Sequence, residues 1–222
     1  MTDAEAPARL TPKGRATRER IVRTAADLIE RRGVVGTSID DVRQAAGVSG
    51  SQMTHYFQDK RALVRAVIAW QADTTIEFHQ RPELGRLDTF EALDLWAKLN
   101  IARQRELDCE VGCGFGSLAG ELAGTDVETR AELAEGFIRW ETLFREGLTD
   151  MRDRGDLRPD ADPSELAAGL LAALQGGMLL TRTMRDIRHV EAALKTAVDY
   201  VRSYASGAET PAAGNPAKGG SA

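Results

Sequence analysis

Two short helical segments hinged on Gly47 are packed into residues 39 to 57, too close together for anything but a tight helix pair. Ile39, Val42, Ala46, Val48 and Met53 form the apolar set, and a turn of three or four residues around Gly47 joins the halves. This is the pattern of a helix-turn-helix, in which inward residues fix the angle between helices and outward residues of the second helix meet DNA. Ser49 caps that second helix, and its amide-rich start offers a phosphate site. The outward set is Gly50, Ser51, Gln52, Thr54, His55 and Tyr56. Gln52 can pair with an adenine edge in two places, Ser51 can bond several bases, and Gly50 permits close approach. Thr54, His55 and Tyr56 offer donors to phosphate oxygens. Helical proteins that bind no DNA use the same pattern, so the pattern alone leaves both readings standing.

The rest of the chain is also helical in its periodicity. Ile21, Ala25, Leu28 and Ile29 recur at helical spacing between residues 13 and 32, followed by the basic pair Arg31-Arg32 and by Gly33, as at a helix C-terminus. Ser38 precedes Ile39-Asp40-Asp41 as a cap, and a fourth helix begins at Gln58 or Asp59 with Leu63, Val64, Val67 and Ile68 inward. Further helical blocks run over 87–107, 126–154, 163–186 and 189–204. A Gly-rich stretch at 109–125 holds a short helical core at 118–122, and 155–163 is a turn. No segment shows strand alternation, and 33 Ala and 22 Leu against 5% aromatics is a helical vocabulary. The expected fold is all-α: a disordered leader at 1–12, a three-helix helix-turn-helix domain at 13–75, a larger helical domain at 76–205 and a disordered tail at 206–222.

Charge is unevenly distributed. Residues 1–70 carry 12 Lys+Arg against 8 Asp+Glu, a net +4, while the remainder is net −9. A local positive region on an acidic body is what phosphate binding by one module requires. The longest uncharged run, Leu166 to Thr181, is 16 residues, short of the ~20 a membrane span needs. The first ten residues lack the apolar core of a signal peptide and two cysteines are too few for a disulfide scaffold, so a cytoplasmic protein without a membrane segment is expected. Cys109 and Cys113 lack the companion ligands of a zinc site and the spacing of a redox pair, which favours packing over a functional pair. His55, His79 and His189 are scattered, and no nucleophile-base or phosphate-loop pattern is present. No enzyme activity, metal or cofactor is expected.

The run from Thr37-Ser38-Ile39-Asp40-Asp41-Val42 through Ala46-Gly47-Val48-Ser49 to His55-Tyr56-Phe57-Gln58-Asp59-Lys60-Arg61-Ala62-Leu63 resembles the DNA-binding domain of the TetR family of bacterial transcriptional regulators over about residues 15–75. Arg43 departs from the small alanine common there; its stem can lie along the surface with its charge in water. The resemblance implies a homodimer that binds operator DNA and responds to a small-molecule effector. By it, Thr37, Ser38, His55, Tyr56 and Lys60 hold phosphates, Ser51 and Gln52 read bases, and Arg15 and Arg18 are candidates for added DNA contacts or ordinary solvated charges. Gly112-Cys113-Gly114-Phe115-Gly116-Ser117-Leu118-Ala119 with Glu121-Leu122 resembles the regulatory domain of the branch named for LmrA and YxaF.

In the larger domain, Trp96, Phe137, Trp140 and Phe144 are candidates to line a ligand cavity, with Arg103, Gln175 and Arg182 as polar anchors; aromatics at helical spacing are more often core, and some must do both if a pocket exists. Small residues Ala168, Ala172 and Gly176 allow close approach by another helix. With the segment bearing Leu194, Val198 and Val201 they resemble the family's paired dimer helices, an internal core helix being the competing account. The expected function is a dimeric ligand-released repressor of a palindromic operator. The alternatives are an activator, a thiol-sensing regulator, or a helical enzyme or adaptor without DNA binding.

Overall fold

A computed structural model describes residues 10–207; the disorder expected for 1–9 and 208–222 lies outside the described residues. Among the described residues nine α-helices follow in order: α1 (Pro12–Arg32), α2 (Ile39–Ala45), α3 (Gly50–Tyr56), α4 (Lys60–His79), α5 (Phe90–Glu106), α6 (Gly114–Leu122), α7 (Val127–Asp153), α8 (Pro163–Met184) and α9 (Arg188–Arg202). A 3-10 turn at Pro82–Leu84 separates α4 from α5. The described residues hold no strand, only one bridge between Leu157 and Ala205.

Local chemistry accounts for the helix ends. Ser38 accepts from the Asp41 amide at 3.1 Å while the Asp41 carboxylate accepts from the Ser38 amide at 2.9 Å, a reciprocal box that starts α2. Ser49 and Gln52 repeat it at α3. Gly33 and Gly47 both adopt positive φ, +73° and +62°, where a side chain would be strained, and each lets the chain leave one helix and enter the next. Two expected boundaries shift. Thr11 caps α1 through the Gly14 amide and Pro12 already occupies its first turn, so residues 10–12 belong to the helix start. Ser206 donates its amide to the Asp156 carbonyl and is held against the α7–α8 turn.

Two cores result. Ile21, Val22, Ala25, Val42, Met53, Phe57 and Val67 form the first, and it includes Phe115, Leu118 and Leu122 of α6 and Leu133 of α7. The second holds Trp96, Trp140, Phe144, Leu148, Leu170, Leu174, Leu194 and Val198 from α5, α7, α8 and α9. Helix α6 therefore packs on the N-terminal helices rather than only on the larger domain, and α4 runs unbroken through residue 75 to His79, so the expected boundary at 75 falls inside a helix. The 22-residue α8 is longer than the uncharged run within it and, by length and composition, is apolar enough to cross a membrane. Here Leu166, Leu170, Leu174 and Met178 bury one face of it in the second core.

Candidate functional site

The outer surface of α3 presents Ser51, Gln52, Thr54 and His55 to solvent, while Met53 and Phe57 anchor the helix beneath. Several outward groups have local partners. Gln52 Oε1 accepts from the Ser49 amide at 2.9 Å, Ser51 Oγ lies 3.0 Å from Ser49 Oγ, and Thr54 Oγ1 donates to the Gly50 carbonyl at 3.1 Å. Gln52 thus both closes the α3 capping box and faces outward. Q52A keeps the Ser49 cap and loses only the return bond of the box, so it is expected to loosen α3 by about 0.5 to 1 kcal/mol and to change which base is preferred at one operator position, measured by comparing selected duplex sequences. Unchanged preference would move base reading to other residues.

Around α3, Ser38 is exposed at the start of α2, Lys60 opens α4 with no ion pair among the described residues, and Tyr56 is half-buried with its ring edge-on to His55. Thr37 departs from expectation. It is buried, and its hydroxyl donates to the Gly33 carbonyl at 2.9 Å, so it builds the α1–α2 corner instead of offering an open phosphate donor. Arg15 donates to the Leu10 carbonyl, Arg18 lies over the Phe57 ring at 5.3 Å, and Arg20 holds the Ala46 carbonyl at the end of α2. Arg43 bonds Asp40 at 2.7 Å, which with Gln44 holds the Asp40 carboxyl below its ordinary range.

The aromatic candidates are core. Trp96 and Phe144 are fully buried and Trp140 nearly so, and the space between them is occupied by His79. His79 Nε2 accepts from both indole N–H groups, Trp96 at 3.0 Å and Trp140 at 2.9 Å, while Nδ1 pairs with the Thr75 carbonyl at 2.7 Å. Two donors aimed at Nε2 leave it unprotonated, so the proton sits on Nδ1. Burial pushes the His79 pKa down to about 4. Phe137 stacks on Trp140 and leans on Phe115. Trp96, Trp140 and Phe144 fill the core, and the half-buried Phe137 packs against it; none of the four lines the cavity described next.

A cavity of about 550 Å³ opens instead where α1, α4, α6 and α8 meet. Glu30, Gln71, Ser117, Glu121, Gln175 and Arg182 supply its polar wall, and Ile29, Val67, Leu118 and Leu179 its apolar one. Of the expected anchors, Gln175 and Arg182 belong to it; Arg103 lies outside the lining and acts on it through charge. Burial raises the Glu30 carboxyl, opposed by Arg103 and, more weakly, Arg182 and Arg31. Arg182 reaches Ser117 Oγ at 3.3 Å and the Glu30 carbonyl at 3.5 Å. Cys113 caps α6, its Sγ accepting from the Gly116 amide at 3.2 Å and facing the Gln175 amide at 3.6 Å; burial pushes its thiol pKa up, which disfavours the reactive thiolate. Cys109 is buried in the α5–α6 loop.

Glu121 and His79 carry no signal in sequence for these roles, since their partners stand far away in the chain. Glu121 accepts from the Val34 amide at 2.9 Å and the Val35 amide at 3.0 Å. A seam of ion pairs joins α4 to α7 as well: Arg61 to Glu128, Arg65 to Glu132 and Asp73 to Arg139, at 2.8, 2.7 and 2.8 Å.

Family comparison agrees with this geometry. Residues 21–67 match the model for bacterial regulatory proteins of the tetR family, and 97–197 match the tetracyclin repressor-like C-terminal domain. The chain belongs to the TetR family of transcriptional regulators. Among relatives of this TetR-family regulator, an uncharacterized HTH-type regulator encoded in the lacX 3' region of Lactococcus lactis is 28% identical, covering 84% of this chain and 95% of its own. The HTH-type transcriptional repressor DhaR of Mycobacterium sp. strain GP1 is 25% identical, covering 76% and 84%. The likeness to YxaF is found with the Bacillus subtilis protein, 23% identical over 77% of this chain and 87% of that one. In fold, the regulator superposes on a TetR transcriptional regulator from Chloroflexus aurantiacus with a TM-score of 0.75, at 24% identity, covering 88% and 98% of the two chains.

Proposed function

We propose that this TetR-family regulator is a homodimeric repressor of a palindromic operator, released when a small molecule occupies the junction cavity. The observation that carries the reading is the double duty of α8. Gln175, Gly176, Leu179 and Arg182 line the cavity beside α1 and α4, while Ala168, Ala172 and Gly176 lie on the exposed face of the same helix, which also presents Leu179 at 65% exposure. An occupant therefore touches both the helices that carry the reading head and the helix offered to a second copy. On α9 the expected set Leu194, Val198 and Val201 is buried inside the protomer, so the proposed pairing surface uses instead Ala192, Ala193, Thr196, Ala197 and Tyr200, which with α8 line an apolar groove flanked by the exposed Lys195 and Asp199. Exposed apolar faces of this kind mark interaction surfaces, which supports pairing with a second copy here. DhaR's name as a repressor supports the sign of the regulation, and a bacterial protein that acts on operator DNA works in the cytoplasm.

Selection from a random duplex library should return a palindrome with half-sites ~34 Å apart or a multiple of that spacing. Affinity for it should fall steeply with salt. K60A is expected to weaken all duplexes alike and to flatten the log-log salt slope by ~0.9 for each phosphate that Lys60 neutralises, one in each half-site. Non-palindromic selected sequences or a salt-independent affinity would defeat the reading.

A further inference from the structure

The α1–α2 corner contains two amides that its own backbone does not satisfy. Gly33 closes α1 by donating to Ile29, and Thr37 pulls the corner inward through its amide to Val34 and its hydroxyl to Gly33. Val34 and Val35, which follow the left-handed Gly33, donate instead to the Glu121 carboxylate, one oxygen each, from 87 and 86 residues away. Ser38 caps α2 three residues later, so the corner sets where the helix-turn-helix pair begins.

Glu121 lies in the last turn of α6 and faces the end of α1, where helix carbonyl ends repel an anion and the basic pair Arg31-Arg32 of the last α1 turn opposes that repulsion. Its direct hold on the corner is through the two amides. It is also solvent-exposed and lines the junction cavity with Gly33, Arg31 and Arg182.

We propose that Glu121 is the positioning residue through which the cavity governs the reading head: a ligand that brings a hydrogen-bond donor, an ammonium, amide or hydroxyl group, to the Glu121 carboxylate competes with Val34 and Val35, frees the α1–α2 corner and lowers operator affinity. The proposal rests on the reading of the junction cavity as the effector site and adds to it the ligand chemistry and the route of transmission. Apolar parts of such a ligand lie against Ile29, Val67, Leu118 and Leu179.

The test uses the full chain, amide hydrogen exchange at Val34 and Val35, and binding to the duplex selected by the wild type. E121A is expected to speed exchange at those two amides selectively and to weaken duplex binding about tenfold, the lower end of what a single charge-assisted hydrogen bond contributes. The near-isosteric E121Q, which keeps an acceptor without the charge, should fall between. Filling the cavity without any ligand supplies the second arm. Gly120 lines the cavity with open space at its Cβ position, so G120W should weaken binding and speed the same exchange in the wild-type background and add nothing in the E121A background. Unchanged exchange in E121A, or additive effects of G120W and E121A, would overturn the proposal, the latter leaving Glu121 a merely structural residue. If the wild type selects no duplex, the repressor reading falls, and exchange at Val34 and Val35 still decides whether Glu121 holds the corner.

Discussion

Replacing His79 by Leu should cost about 4 kcal/mol of stability and lower the melting temperature by about 8 to 16 °C. The size of the effect follows from what the imidazole does: one nitrogen accepts two buried indole N–H groups, from Trp96 and Trp140, and leucine fills the space while leaving both donors unpaired. Each orphaned buried donor costs about 1 to 3 kcal/mol, and for a chain of this length each kcal/mol moves the melting point by about 2 to 4 °C. His79→Gln, which can return an acceptor, should recover part of the loss. Thermal and urea unfolding followed by tryptophan emission measure both. An H79L protein as stable as the wild type would show that the indoles find other acceptors.

The same residue sets a pH dependence with a definite sign. Above pH 6.5 the imidazole is neutral in both the folded and the unfolded chain, and the lock contributes in full. Between 6.5 and about 4 the unfolded chain binds a proton that the folded chain refuses, because protonating Nε2 would face it with two N–H donors. Stability therefore falls as pH drops across that window, by about 1.4 kcal/mol per unit and about 3 kcal/mol in all. The difference between wild type and H79Q isolates this contribution from that of the carboxylates. Parallel stability curves from pH 6.5 to 4 would contradict the assignment.

His79 also marks where sequence reasoning stops. The reading head is written in short-range signals: Ser38 with Asp41, Ser49 with Gln52, a glycine at each turn, and an outward polar row on a seven-residue helix. Each depends on neighbours within four positions, so the caps, the turn and the exposed face are legible in the sequence alone. Thr37 escaped because its hydroxyl bonds a carbonyl of its own corner, and only burial separates that role from an open phosphate donor. The body depends on distant pairs. Helical spacing correctly marked Trp96, Trp140 and Phe144 as inward, but inward positions face either a cavity or a core, and which one holds depends on His79 arriving from α4. On α9 the large apolar residues Leu194, Val198 and Val201 drew attention to the inner face, while beside them Ala192 and Thr196 are exposed and Ala193 and Ala197 half-buried.

The outer face of α8 supplies the second large effect. Ala172 is exposed in the protomer, with Ala168 and Gly176 one turn away on either side, in a helix stretch free of charge between Glu165 and Arg182. A glutamate there leaves the single chain stable, since glutamate is a good helix former and the position is open to water. In a two-fold pairing each copy contributes the same patch, so A172E places two carboxylates inside one interface. Several kcal/mol of desolvation for each unpaired ion, about 6 kcal/mol together, raises the dimer dissociation constant by about 10⁴ or more. Loss of the second head then removes the avidity gained by filling both half-sites, a fall of about 10² to 10⁴ in affinity for the palindrome while each head keeps its own grip on DNA. A172K should behave alike for the same reason. Mixing A172E with A172K brings opposite charges together across the pairing and should restore both the dimer, seen by sedimentation velocity, and operator binding. An A172E protein that remains dimeric and binds the palindrome as tightly as the wild type would require the second copy to dock on a different face.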